Sequence, residues 1–449
     1  MSELPRGWVS LRLKEIVKEA VGTVDPRSCP DEEFDLFSIP SFSDGKPEIL
    51  PGMNIGSTKQ LVQPNDVLLS KIVPHIRRVW VIPEANGRRQ IASGEWIVYR
   101  NPNIDPHFIK MALSERSFRT KFLGTVSGVG GSLMRASPKQ VAEFSVPLPP
   151  LAEQKRIVAK LEALNAKSAR ARTELARIET LVSRYKQAVL SKAFSGELTR
   201  EWRSPRATLG SWENLPLSRL VSDGPSNGWS PRADGKIGGL KSLKLSATSS
   251  GNLRLDENTI KYLDQTLPLN SKFWLLENDI LIQRANSLEL LGTTVLFDGP
   301  PCEFIFPDLM MRIRANETKV SPKYLAAFLN SDSARAYFRA NATGTAGNMP
   351  KINGTTVRAT RVPTPSLEEQ HEIVRRIGSA FARIDRLAGE AKRALKLVGR
   401  LDEAILAKAF RGELVPQDEN DEPADRLLAR LRAERAAAPK AKRGRKARA

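Results

Sequence analysis

Nine residues, Val146-Pro147-Leu148-Pro149-Pro150-Leu151-Ala152-Glu153-Gln154, return 216 positions later as Val362-Pro363-Thr364-Pro365-Ser366-Leu367-Glu368-Glu369-Gln370. The same offset aligns Leu190-Ser191-Lys192-Ala193-Phe194-Ser195-Gly196-Glu197-Leu198 with Leu406-Ala407-Lys408-Ala409-Phe410-Arg411-Gly412-Glu413-Leu414. It also reaches back to Pro106-His107-Phe108 against Pro322-Lys323-Tyr324, with no indel between. Earlier in each copy the offset drifts. Trp8 to Leu13 resembles Trp212 to Leu217, and Asn65-Asp66-Val67-Leu68-Leu69 resembles Asn278-Asp279-Ile280-Leu281-Ile282. Residues 20–60 and 224–275 share little. A period this long means duplicated domains, not a solenoid.

The segment common to both copies reads as a long helix. In the first copy Ile157, Leu161, Leu164, Ser168, Ala171, Leu175, Ile178, Val182, Tyr185 and Val189 follow alternating steps of four and three, the heptad rhythm of a coiled-coil seam. The second gives Ile373, Ile377, Ala380, Ile384, Leu387, Ala391, Ala394, Val398, Leu401 and Ile405. Two such seams in one chain most simply pack on each other. Pro149 and Pro150 precede the first helix, Ser366 with Glu369 makes a capping-box pattern for the second, and Gly196 and Gly412 mark the exits. Gly378, Gly389 and Gly399 each weaken the second helix by about 1 kcal/mol against Ala and are read as sites of close packing or bending. About 42 helical residues make a rod of roughly 60 Å, comparable with some 18 base pairs of B-DNA.

The remainder of each copy reads as an α/β mixture. Residues 66–70, 78–82 and 96–99 are strand-like in β-branched and aromatic content, as are 279–282, 293–297 and 310–314, while 106–122 looks helical. Gly-rich loops at 127–132 and 343–348 precede each return to the long helix. The expected class is α+β: two mixed α/β domains separated by two long helices in an antiparallel coiled coil, with a pseudo-twofold internal repeat. The expected pieces are 1–146, the helix 147–198, 199–361 with its linker, the helix 362–414, and 415–449. The last piece holds a short helix through Leu427, Leu428 and Leu431, then a basic, disordered tail.

Lys plus Arg number 70 against 50 Asp plus Glu, a net charge of +20 that favours a polyanionic partner. The excess is uneven. Residues 151–192 hold ten basic and four acidic groups, 367–408 nine and seven, and 439–449 six basic and none acidic. No apolar run approaches the roughly 20 residues that span a bilayer, and no secretory h-region is visible, so a cytoplasmic chain without a membrane partner is expected. Cys29 and Cys302 alone cannot make a disulfide scaffold or a Cys-rich zinc site.

Catalytic constellations are missing. There is no GxxxxGK[ST] phosphate loop, and Gly128-Val129-Gly130-Gly131 lacks the setting of a dinucleotide fingerprint. No Asp/Asn-Pro-Pro-aromatic tetrad is present, and His75, His107 and His371 have no metal-ligand spacing. Pro307-Asp308 followed by Glu317-Thr318-Lys319 matches the loose pattern of metal-dependent nucleases, yet the first copy has no equivalent and chance explains it better. Neither a catalytic residue nor a metal ligand is expected.

Two variable domains, each followed by a helix opening with Pro-x-Pro-x-Leu-x-Glu-Gln and closing with Lys-Ala-Phe-x-Gly-Glu-Leu, resemble the specificity subunit of Type I restriction-modification systems. The resemblance covers nearly the whole chain, and Leu4-Pro5-Arg6-Gly7-Trp8 also fits it. It implies a non-catalytic subunit with two target-recognition domains, each reading one half of an asymmetric, interrupted double-stranded DNA sequence. The paired helices would set the gap and dock two methyltransferase subunits. Those partners would bind S-adenosylmethionine and methylate adenine. A restriction subunit using ATP and Mg²⁺ would cut unmodified DNA, and this chain would bind no cofactor itself. The other reading is a standalone DNA-binding scaffold that dimerises through its coiled coil.

Phosphate contacts give affinity and base edges give specificity; Arg pairs with guanine, Asn or Gln with adenine. In the second domain Arg284, Asn286 and Ser287 follow a strand, and Lys241, Ser242, Asn348 and Lys351 are further candidates. In the first, Lys71, His75, Arg77 and Arg78 follow the corresponding strand, and Ser132 and Arg135 lie in or beside the corresponding Gly-rich loop. Glu153 and Glu369 are read as helix caps, with Gln154 and Gln370 as caps or partner contacts.

Overall fold

The computed structural model describes residues 4–17, 21–128, 134–204, 212–231, 238–344 and 349–437. Both repeated segments form uninterrupted helices, Leu151–Phe194 and Leu367–Phe410. Each stops where Gly196 (φ +80°) or Gly412 (φ +73°) turns left-handed, a conformation that favours Gly because it has no Cβ.

The chain divides into two compact units, Met1–Glu174 with Arg393–Ala449, and Leu175–Lys392. The expected boundaries gave each helix to a single piece; in the structure each unit takes half of both. Ile157, Val158 and Leu161 enter the core of the first unit, and Leu190, Ala193, Ile373 and Ile377 that of the second. Within the first unit Arg156 pairs with Asp421 and Arg172 with Asp402; within the second Lys186 pairs with Asp385 and Arg376 reaches the Leu198 carbonyl. The first unit joins the N-terminal part of one helix to the C-terminal part of the other, and the second unit the reverse, so the helices run antiparallel.

The heptad seam is less buried than its pattern implied. Leu164, Leu175, Ile178, Val182, Ile384 and Val398 are half-buried, while Tyr185, Leu387 and Leu401 are 61%, 54% and 53% exposed. Two helices alone cover one narrow stripe of each other, enough to bury the small Ser168 and Ala391, while Ile157, Leu161, Ile373 and Ile377 are buried where a domain core adds a third side. Gly378 and Gly399 have no atom within 4 Å of where a Cβ would stand, so close packing does not explain them.

In the first unit Val9–Arg12 pairs antiparallel with Ser145–Leu148, tying the start of the chain to the residues just before the helix. Val67–Ser70 is central to a three-stranded antiparallel sheet with Val79–Val81 and Trp96–Tyr99. A five-stranded sheet carries Glu33–Phe37 parallel to Arg89–Ala92. The second unit repeats the frame: Glu213–Pro216 pairs with Arg361–Thr364, and Ile280–Gln283 lies between Thr294–Leu296 and Met310–Ala315. The variable stretch differs, with Leu240–Leu243 flanked by Ile260–Leu263 and Phe304–Ile305. Residues 106–122, expected as one helix, form two, Pro106–Ala112 and Arg116–Leu123. Glu115 accepts from Ser117 N at 2.6 Å and starts a new helix.

The terminal helix Ala424–Ala437 packs on the first unit. Leu427, Leu428 and Leu431 are buried in its core, and Ala424 N donates to Gly7 O at 3.0 Å.

The Glu-Gln pairs that open the long helices tie domain to helix. Ser366 caps as expected, accepting Glu369 N at 3.3 Å, but the Glu369 side chain turns inward. Trp8 Nε1 donates to Glu153 Oε2 at 3.0 Å, and Trp212 Nε1 to Glu369 Oε2 at 3.0 Å. Gln154 accepts Asp105 N and donates to Pro149 O; Gln370 accepts Ser321 N and donates to Pro365 O. All four side chains are buried, so they are structural ties, not glutamate caps or partner contacts.

Candidate nucleic-acid interface

Both units anchor one strand in the same way. Asn65 and Asn278 stand at φ +70° and +67°, which Asn tolerates better than most residues with a Cβ. Each precedes a carboxylate 1% exposed. Asp66 accepts from Gln63 N at 2.9 Å and Arg100 Nε at 2.8 Å; Asp279 accepts from Leu276 N at 2.8 Å and Arg314 Nε at 2.6 Å. These locks fix where the strands Val67–Ser70 and Ile280–Gln283 begin, and so where the loops after them emerge.

In the first unit that loop lies against the end of the Gly-rich segment. Val73 N donates to Met134 O at 3.0 Å, Ala136 N to Lys71 O at 2.8 Å, and Ile72 bridges Arg135. Val73 adopts φ +47°, unfavourable for a β-branched residue and here held by the surrounding bonds. Beneath it, buried Arg119 donates to the Pro74 carbonyl and lies over the Phe122 ring. Burial, with Arg77 nearby, lowers the Arg119 pKa. His75, Ile76 and Arg77 are left exposed at the tip. Lys71 Nζ donates to Gly94 O at 2.6 Å, Arg135 pairs with Glu95 at 3.1 Å, and Arg77 lies 3.6 Å from Glu403. Arg78 is half-buried, with one terminal nitrogen lacking an acceptor among the described residues.

The second unit makes the same junction with other side chains. Arg284 O accepts Ile352 N at 2.8 Å, Asn286 N donates to Pro350 O at 3.3 Å, and Ala285 bridges Lys351. Buried Gln283 donates to Thr248 Oγ1 at 2.7 Å and accepts Asn286 Nδ2 at 2.6 Å. Asn286 Oδ1 takes Ser287 N at 2.7 Å, so the amide expected to face adenine instead holds its own loop. Arg284 is half-buried with its Nε unsatisfied among the described residues, while Ser287 and Lys351 are exposed. Lys241 pairs with Glu303 at 2.7 Å. Ser242, expected at the surface, is 0% exposed, as is Leu243 beside it: both lie on the central strand of a three-stranded sheet that is covered on both faces there. Ser132, Asn348 and the basic tail lie outside the described residues. Asp308 accepts Ser230 Oγ at 2.6 Å, and no group of three potential metal ligands exists among the described residues.

Loops far apart in sequence thus meet twice: Lys71, Ile72 and Val73 with Met134, Arg135 and Ala136, and Arg284, Ala285 and Asn286 with Pro350, Lys351 and Ile352. Sequence patterning gives no sign of Arg119 as the loop's anchor, since an anchoring Arg looks like any other. Ile76, Leu288 and Met349 are 43%, 44% and 46% exposed beside the basic residues; apolar groups there can meet the thymine methyl. Their one sequence signal is an apolar residue among polar loop neighbours.

The Type I restriction modification DNA specificity domain model matches residues 5–180 and 243–395. The chain belongs to this family of Type I restriction-modification specificity subunits. It is 31% identical over 350 residues to the Type I restriction enzyme EcoKI specificity subunit of Escherichia coli K12, covering 76% of this chain and 73% of that one. The StySPI specificity subunit of Salmonella potsdam is also 31% identical, over 75% of this chain and 72% of its own. Among solved structures, the HsdS subunit from Thermoanaerobacter tengcongensis superposes with a TM-score of 0.58 at 23% identity, covering 92% of this chain and 98% of that one. A chain from a study of type I R-M complex assembly gives 0.73 at 22% identity, covering 92% and 100%. At these identities the superpositions speak to the fold.

Proposed function

We propose that this specificity subunit reads a bipartite, asymmetric duplex DNA target, one half through each duplicated domain, and directs adenine methylation and restriction carried out by partner subunits. The observation that carries this reading is the repeated frame: one strand, one Asn-Asp lock and one loop junction per unit, presenting different side chains. Affinity comes from Lys and Arg on phosphates, and specificity from loop-tip groups such as Arg77, Arg78, Arg284, Ser287 and Lys351. The long helices set the gap between half-sites, so four residues inserted near Ala176 change the tolerated gap or abolish activity.

Leu181, Tyr185 and Leu387 on the second unit, and Leu395, Leu397 and Leu401 on the first, are exposed apolar side chains on those helices. They suit docking of two methyltransferase subunits. S-adenosylmethionine then belongs to the methyltransferases, ATP and Mg²⁺ to the restriction subunit, and none to this non-catalytic chain. No described helix is long and apolar enough to cross a membrane; a subunit that reads the host's DNA works where that DNA is, in the cytoplasm.

Expression together with methyltransferase subunits of a Type I system tests the reading. A stable complex with two methyltransferase chains and a discontinuous methylated motif in the host genome is expected. A self-sufficient homodimer that leaves no such motif supports the scaffold reading instead. Within the motif, Arg284→Ala relaxes discrimination at one position of one half-site, by about 1–3 kcal/mol for a lost bidentate contact. Competition binding over single-base variants of the site measures it. Uniform weakening at every position would assign Arg284 to phosphate instead.

A further inference from the structure

The loop after each locked strand is held from behind by one arginine. In the first unit Arg119, on the helix Arg116–Leu123, donates to the carbonyl of Pro74, next to the exposed tip residues His75, Ile76 and Arg77. In the second, Arg335, on the helix Asp332–Ala340, donates to the carbonyl of Glu289, next to exposed Ser287 and Leu288. The two arginines stand 216 positions apart, the offset of the long helices. So do Phe122 and Phe338, one helical turn further on and both 0% exposed. The repeat pairs these arginines without giving their task; the carbonyls they hold give it. The loops 71–78 and 284–293 differ in length, yet each accepting carbonyl lies five residues before the next strand, which begins at Val79 or Thr294.

These are costly anchors. Arg119 is 5% exposed and Arg335 half-buried, and among the described residues neither forms an ion pair. The Arg335 Nε also lacks an acceptor among them. Burial lowers both pKa values, helped by Arg77 near Arg119 and by Arg339 near Arg335, while Asp332 and Glu289 oppose the second shift. A guanidinium placed for core stability is given a carboxylate, since a buried charge without one is destabilising. Here the partner is a loop carbonyl, so the anchor secures the loop.

The backing is equally specific. The Arg119 guanidinium lies 5.1 Å from the centre of the Phe122 ring. In the second unit Gly292, at φ +75°, comes so close that a Cβ would stand 2.4 Å from Phe338. Each tip then closes on itself: Ile76 N donates to Val73 O at 3.0 Å, and Leu290 N and Leu291 N to Ser287 O at 3.0 and 2.8 Å.

We propose, on the reading that these loops meet DNA, that Arg119 and Arg335 are paired positioning residues for half-site selection. Each sets the height and orientation of one tip through one backbone carbonyl, and neither reads a base. A base-edge contact holds only within about 0.5 Å of its productive geometry. A tip that drifts therefore loses discrimination, while the less directional phosphate contacts persist.

Arg119→Met and Arg335→Met keep the length and apolar packing of the side chain and remove the donor. Losing an unpaired buried charge offsets the carbonyl's lost partner, so the fold is expected to hold. Each variant is assembled with methyltransferase subunits of a Type I system. Competition binding is then measured over single-base variants of the duplex motif that the wild-type complex methylates. Arg119→Met is expected to lower discrimination about tenfold in one half of the motif and leave the other at wild-type level; Arg335→Met does the reverse. The slope of log affinity against log salt stays at its wild-type value, because losing a phosphate contact would reduce it by about one. Arg→Lys at either position keeps a donor within reach of the carbonyl and restores most of the discrimination. Hydrogen exchange of the DNA-free complex reads the positioning directly. Ile76 in Arg119→Met, and Leu290 and Leu291 in Arg335→Met, should exchange about tenfold faster, with Val67–Ser70 and Ile280–Gln283 unchanged. Discrimination that is unaltered, or lost in both halves together, overturns the proposal. So does a slope reduced by one, a lysine variant as poor as the methionine one, or exchange unchanged in the tips. If one methionine variant fails to fold, the other unit's variant decides. A wild-type complex without a divided motif would fail the DNA reading and take the selection role with it, an outcome distinct from a sound wild type whose variants discriminate normally.

Discussion

Replacing residues 20–145 with the corresponding stretch of another specificity subunit is expected to change one half of the methylated sequence and leave the other intact. The loop 71–78 rests on contacts internal to the first unit: Val73 on Met134, Ile72 on Arg135, and Pro74 on Arg119. The junction at 284–286 rests on Leu309, Pro350 and Ile352 of the second. Each of these partners belongs to the loop's own unit. The exchange also spares Trp8, Glu153 and Gln154, the groups that tie a recognition domain to its helix. Methylome sequencing of cells carrying the hybrid with its partners provides the measurement. A motif changed in both halves, or in neither, would sink the modular reading.

The second large effect concerns stability. Asp279→Ala should destabilise the protein by about 3–5 kcal/mol, the range for breaking a buried ion pair. Its removal takes from Arg314 the carboxylate bonded to it at 2.6 Å, leaving Asp223 at 3.9 Å, and takes from the buried Arg312, 2% exposed, one of its two carboxylates, leaving Asp223. It also leaves Leu276 N without its acceptor. Asp66→Ala should act in the same direction and by a comparable amount, since it takes from Arg100 a buried carboxylate at 2.7 Å and leaves it the Leu61 carbonyl at 3.1 Å. Denaturant unfolding of each variant measures both. Changes within a few tenths of a kcal/mol, as at ordinary surface sites, would refute the locks as structural anchors.

The duplication and both long helices were legible because a heptad rhythm and a Pro-x-Pro opening are local signals that survive any tertiary context. The strands after Asn65-Asp66 and Asn278-Asp279 were legible for the same reason. The burial of the seam was not. Leu387 and Leu401 fit the rhythm as well as Ile377 does, and only the position of a domain beside the helix decides which is covered. The candidate interface was half legible. Arg284 and Lys351, 67 positions apart, come together through the Ala285–Lys351 bridge and the backbone bonds beside it, which no sequence pattern encodes. Asn286 looked like an adenine reader because amide chemistry suits adenine; the structure gives that amide to Gln283. Ser242 shows the simplest failure, a polar residue on a central strand that is covered on both faces.

One unit is continuous in the chain, Leu175–Lys392, whereas the other draws on both ends. A ribosome therefore finishes every residue of the second unit while the first still lacks part of its core. Ala409, Leu427, Leu428 and Leu431 belong to the cluster that includes Leu13, Ile16 and Phe108, and they are made last. Until they emerge, an apolar face of the nascent first unit stays open to chaperones and to other unfinished chains. A stop codon shortly after 392 leaves one unit whole and the other permanently uncovered. The order of synthesis thus acts as a check on completeness.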